Sequence, residues 1–111
     1  MHHNMKLKPE PFEKIKSGKK TMELRLYDEK RQLLSVGDII TFTNMETSEQ
    51  LTVNVIGLHR FDSFKDLYEH IDKKLIGYNE EDEVDPNHMN QYYSEEEQEK
   101  YGVLAIEIKL L

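Results

Sequence analysis

Gly18-Lys19-Lys20-Thr21-Met22-Glu23-Leu24-Arg25 sets three charged side chains, Lys20, Glu23 and Arg25, into a run that otherwise alternates like a strand. Strand side chains change face with a period of two. Glu23 and Arg25 are therefore expected on one face, with Met22, Leu24 and Leu26 facing a core on the other. Lys20 stands at the strand's entrance. A glutamate and an arginine two apart, beside a lysine and a threonine, neutralise one another or hold an anionic ligand.

Before this strand, which is read as Lys20 to Tyr27, Met5 to Lys8 reads as a first strand. Pro9 and Pro11 break it. Proline suits a helix's first turn, so Pro11 to Ser17 is expected as a short helix with Phe12 and Ile15 inward. Gly18 ends it. After the charged strand, Asp28 to Ser35 is a loop anchored by Leu33 and Leu34. Val36-Gly37-Asp38 turns into an alternating strand, Ile39 to Asn44. Thr47-Ser48-Glu49 turns again into Leu51 to Leu58, and the two strands make an antiparallel hairpin. Asp62 or Ser63 caps a helix, Phe64 to Asp72, with Phe64, Leu67, Tyr68 and Ile71 at amphipathic spacing. Gly77 stops any extension of that helix through Lys73 to Ile76, and Asn79 to Glu83 is an acidic loop. Asp85-Pro86 predicts the start of a short helix over Asn87 to Tyr93. Ser94-Glu95-Glu96-Glu97 is a capping box opening a last helix that stops at Gly102. Val103 to Leu110 closes the chain as a strand. About five strands and three or four short helices predict an α+β fold, a small twisted barrel flanked by helices.

With 111 residues, the chain is expected to form one domain spanning 1–111. Hydrophobic content of 37% and charged content of 33% suit a folded domain with a small core. No apolar run approaches the length that spans a bilayer, and the N-terminus lacks a signal-peptide layout. There is no cysteine, which fits the cytoplasm and excludes a thiolate zinc site. The net charge of −7 is uneven: Lys6 to Arg31 holds nine basic residues against five acidic, and Glu80 to Glu99 holds nine acidic residues with no Lys or Arg. These totals argue against a broad basic surface for duplex nucleic acid. They leave room for a local basic pocket suited to a small anion or one nucleotide. The histidines are scattered, His2-His3 point opposite ways on a strand, and no metal or cofactor site is expected.

The pattern Gly18-x-Lys20-x-x-Glu23-x-Arg25 resembles the signature of the ASCH domain, a relative of the PUA domain. Val36-Gly37-Asp38 and Tyr101-Gly102-Val103-Leu104-Ala105-Ile106-Glu107-Ile108 resemble that family's next segment and its C-terminal strand. The resemblance implies a PUA-like, mostly antiparallel β-barrel with a cleft lined by the motif. PUA relatives are mostly RNA-binding modules. Some small ASCH proteins resemble amidohydrolases that deacetylate acetylcytidine with a lysine, a threonine and a downstream acid. Lys20 matches that lysine. The threonine's position is taken here by Glu23, and either Glu69 or Asp72 on the second helix is available as the acid.

Two functions are expected from these readings. One is a monomeric module holding a nucleotide or nucleoside of RNA between Lys20, Thr21, Glu23, Arg25 and Tyr93. The other is an amidohydrolase with Lys20 as base and Glu23 as its partner. Tyr27, Tyr92 and Tyr93 serve either as core packing or as platforms for a base. A third reading is a protein-interaction module that uses the acidic C-terminal half.

Overall fold

The computed structural model describes residues 1–85 and 87–111. Five strands form one curled sheet in the order β1-β3-β4-β5-β2. They are β1 (His2–Leu7), β2 (Met22–Leu26), β3 (Ile39–Asn44), β4 (Gln50–Phe61) and β5 (Val103–Leu110). Three helices pack around them, α1 (Pro9–Lys16), α2 (Phe64–His70) and α3 (Glu95–Tyr101). Short 3₁₀ turns lie at Arg31–Leu33, Lys73–Ile76 and His88–Gln91. The β1–β3 pair is parallel and the other three pairs are antiparallel. The α+β fold expected from the sequence is the one observed, with the expected mostly antiparallel barrel realised as a five-stranded curled sheet, a half-barrel. No helix among the described residues is long and apolar enough to cross a membrane.

Several boundaries differ from expectation for local reasons. β1 begins at His2, because the parallel ladder with β3 runs from His2–Ile39 to Leu7–Asn44. His3 is buried and its Nε2 lies 2.8 Å from the Asp38 carboxylate. β4 runs on to Phe61, because β5 continues to pair with it beyond a bulge between Val55 and Gly57. β2 is shorter than expected, since the amides of Lys20 and Thr21 bond instead to the carbonyls of Lys14 and Leu75. The helix expected over Asn87 to Tyr93 is only the 3₁₀ turn His88–Gln91. Pro86, on which that expectation leaned, lies outside the described residues. Of the two candidates, Asp62 and Ser63, it is Ser63 that caps α2, and Ser94 caps α3 as read, with the full capping box.

The core has two layers, and β2 lies between them. Met22, Leu24 and Leu26 pack against Phe64, Leu67 and Ile76 in an outer layer under α2. On the inner face of the sheet, Phe12, Ile15, Ile40, Phe42, Val53, Leu104 and Ile106 form the barrel interior. Directly opposed residues of an antiparallel pair share a face. Glu23 opposes Ile106 and Arg25 opposes Leu104, so the charged face of β2 turns toward the barrel interior. The apolar set does face a core, as expected, but its charged neighbours face the other layer.

Candidate functional site

Glu23 is 4% exposed, and each of its carboxylate oxygens takes one cation. Lys20 Nζ lies 2.9 Å from Oε1 and Arg25 Nε lies 2.9 Å from Oε2. Arg25 Nη2 donates to the Lys6 carbonyl at 2.8 Å. Burial pushes the Glu23 carboxyl upward, but attraction to Lys20 and Arg25 outweighs it and holds the pKa below the usual carboxylate range. The trio thus carries one net positive charge in a site largely closed to water.

The local chain explains how Lys20 reaches this position. Its amide is tied to the end of α1 through the Lys14 carbonyl at 3.0 Å. Gly77 follows the 3₁₀ turn Lys73–Ile76 at φ +107°, and a Cβ there would stand 3.0 Å from Lys14 Cδ and 3.3 Å from Lys20 Cβ. Only glycine meets both the backbone conformation and the close approach without strain.

These residues open into a cleft of about 480 Å³, a size suited to a small organic ligand. One wall is the end of β1 and α1, with Lys6, Lys8, Glu10 and Lys14. The floor carries Lys20, Glu23, Leu24 and Arg25. The other wall carries Tyr68, Tyr78, His88, Met89, Tyr92 and Tyr93. Five cationic side chains therefore face two carboxylates, on a chain whose net charge is −7. Burial, reinforced by neighbouring Tyr78, raises the Tyr68 phenol above its ordinary value and keeps it a neutral hydroxyl.

The structure brings together four of the five residues expected to bind ligand: Lys20, Glu23, Arg25 and Tyr93. Thr21 does not line the cleft; its backbone joins Leu75 and Ile108. Glu69 is exposed and Asp72 caps the 3₁₀ turn by accepting from the Lys74 amide, so neither acid lines the cleft. Sequence reasoning did not place Lys6, Lys8, Lys14, Tyr68 and Tyr78 in the site. The excess of basic residues in the N-terminal third was the one signal for the lysines.

A larger cavity of about 760 Å³ lies beside α3. Its charges balance, with Arg60, Lys65 and Lys100 facing Asp62, Glu95 and Glu99. Its buried amide, Gln98, is already committed to Phe64, Asn90 and Tyr93. Among the described residues no three His, Asp or Glu side chains converge as a metal centre requires.

The ASCH domain family matches residues 5–111. The chain belongs to the ASCH domain family. The crystal structure of hypothetical protein PH0355 is similar over the whole of both chains, with 38% identity and a TM-score of 0.84. The solution structure of protein PF0455 from Pyrococcus furiosus covers all of this chain and 98% of that one, with 35% identity and a TM-score of 0.77. The crystal structure of ASCH from Zymomonas mobilis shares the fold at 16% identity and a TM-score of 0.67, over 96% of this chain and 65% of that one. No curated protein matches the chain.

Proposed function

We propose that this ASCH domain binds one nucleotide of single-stranded RNA, or a free nucleotide or nucleoside, in the cleft over Lys20, Glu23 and Arg25. The observation that carries this reading is a buried Lys–Glu–Arg cluster opening into a cation-rich cleft with a wall of four tyrosines. Lysine and arginine suit phosphate oxygens, and arginine also forks onto planar acceptors. Aromatic rings take bases by stacking, whatever the base. With both oxygens occupied, Glu23 serves to aim its two cations. The cleft's size and the acidic remainder of the chain favour a single nucleotide unit over a duplex. NMR titration with short single-stranded RNAs and nucleosides tests the reading. Shifts should centre on residues 20–25 and on Tyr78, Tyr92 and Tyr93; shifts confined elsewhere would refute it.

The direct contact of Lys20 with Glu23 inside the cleft supports a second reading, an amidohydrolase on an acylated nucleoside such as acetylcytidine. Lys20 would act as base and Glu23 as its partner. An ammonium already donating to a carboxylate presents a positive end rather than a lone pair, so binding remains the better-supported function. Acetylcytidine turnover decides between them. A rate equal to that of Lys20→Ala excludes the enzyme, and a rate well above it establishes one.

A further inference from the structure

The two walls of the cleft meet through cations laid on tyrosine rings. Lys8 Nζ lies 4.7 Å from the centroid of Tyr92, and Lys14 Nζ lies 5.9 Å from that of Tyr78. Both lysines belong to the β1–α1 wall and both tyrosines to the facing wall. The two contacts are not equivalent. Lys14 is also paired with Glu10 at 3.2 Å, whereas Lys8 makes no salt bridge among the described residues. Tyr92 is 46% exposed, and His88 touches it only edge-on, at 6.0 Å and 73°. Tyr93 is committed: its ring stacks on Phe64 at 5.7 Å and its carbonyl accepts from Gln98.

Building on the nucleotide reading above, we propose that Tyr92 is the platform on which the base stacks, that Lys8 covers it in the free protein, and that a bound nucleotide exchanges these partners. The base takes the ring face, and the Lys8 ammonium swings to the phosphate. The exchange is chemically downhill on both sides. An exposed ammonium–ring contact is weak, and a charge-assisted bond to phosphate is stronger. Lysine's flexible four-carbon stem permits the swing. The ligand class is therefore a nucleoside phosphate, with base and phosphate read together. A nucleoside alone must displace Lys8 without giving it a new partner, and inorganic phosphate draws Lys8 away without filling the ring.

The variants Lys8→Met and Tyr92→Leu change exposed side chains, and an unchanged amide spectrum confirms that the fold survives. Wild type and variants are titrated by NMR and calorimetry with the four nucleoside 5′-monophosphates and the four matching nucleosides. Tyr92→Leu should weaken monophosphate binding about tenfold. Lys8→Met should move the two ligand classes in opposite directions: monophosphates bind several-fold more weakly, and nucleosides bind more tightly and shift Tyr92. A merely structural lysine cannot produce that split. Unchanged monophosphate affinity in Tyr92→Leu overturns the proposal, as does nucleoside affinity that fails to rise in Lys8→Met. Both results leave the nucleotide reading standing if monophosphates still shift Lys20 and Arg25. If no monophosphate shifts those residues in wild type, the nucleotide reading itself fails and the exchange fails with it.

Discussion

The guanidinium of Arg25 donates to the backbone carbonyl of Lys6 across 2.8 Å and so links β2 to β1, the two edges of the curled sheet. No ladder joins these strands among the described residues. Arg25 therefore bridges the seam and holds Glu23 at once, while Lys30 Nζ donates to the Asn4 carbonyl farther back on β1. Arg25→Ala should cost about 3 kcal/mol, because it strips a buried carboxylate of one partner and frees a strand edge. Arg25→Lys keeps the charge but cannot serve both acceptors from one ammonium, so about half that loss is expected. Urea denaturation measures both. A loss below about 0.5 kcal/mol in Arg25→Ala would show that the seam holds without Arg25.

Glu23 should leave a mark on the acid limb of stability. Its folded pKa lies below the ordinary value, so its stabilising contribution is complete above the unfolded pKa of about 4.3. That contribution is lost as pH falls through the folded value. Glu23→Gln should be less stable than wild type at pH 7, since Lys20 and Arg25 then face each other without a counter-charge. It should also lose stability less steeply below about pH 4. Parallel acid limbs for the two proteins would contradict this assignment.

Asp38 predicts a second, separable acid effect. The His3 ring, the chain's α-amine and the Ser35 amide bond its carboxylate and pull its pKa down to about 2. The stability it provides is present above about pH 4, the unfolded value, and disappears as pH falls toward the folded one. Asp38→Asn should remove that part of the acid transition and leave ligand binding intact, since Asp38 does not line the cleft. Thermal melts between pH 2 and 5, with a binding titration at pH 7, check both halves.

Much of this molecule is legible in its sequence, for reasons that differ by element. The Ser94 capping box and the alternation in Ile39–Asn44 are local signals, and both appear where they were read. The motif from Gly18 to Arg25 located the floor of the cleft. Of the walls, Tyr92 and Tyr93 were legible as candidate platforms, but their meeting with the lysines was not, because Lys8 and Tyr92 are 84 positions apart and come together only in the tertiary fold. Glu23's burial was also hidden. Period-two alternation assigns it a face, but whether that face is wet depends on the curl of the whole sheet. The pairing of β1 with β3 likewise buries His3, which lies ahead of the strand read from Met5 to Lys8.

Gly77 ties the fold to the site. Its φ of +107° is unfavourable for any side chain, and an added methyl would press on Lys14 and Lys20. Gly77→Ala should cost about 1–2 kcal/mol. The more telling result is local. The Lys20 and Glu23 amide resonances should shift more than those of the distant hairpin at Thr47–Ser48, and nucleotide affinity should fall although no cleft-lining residue has changed. Equal perturbation across the whole chain would reduce Gly77 to a backbone requirement with no role in placing Lys20.

Gln98 braces the tyrosine wall from behind. Its Oε1 accepts from the Phe64 amide at 3.1 Å, and its Nε2 donates to Asn90 Oδ1 at 2.8 Å and to the Tyr93 carbonyl at 3.2 Å. A buried amide with all three bonds made is costly to remove, because each partner is left without a bond. Gln98→Leu keeps the volume and removes the bonds, and it should cost about 2 kcal/mol. Ser94 and Glu97 still cap α3, so the helix itself persists. The effect should fall on the segment that Gln98 holds: amides of residues 89–93 should exchange with solvent faster, and ligands that reach the tyrosine wall should bind more weakly. Unchanged exchange in that segment, at the same loss of global stability, would show that Phe64 and Tyr93 hold the wall by stacking alone.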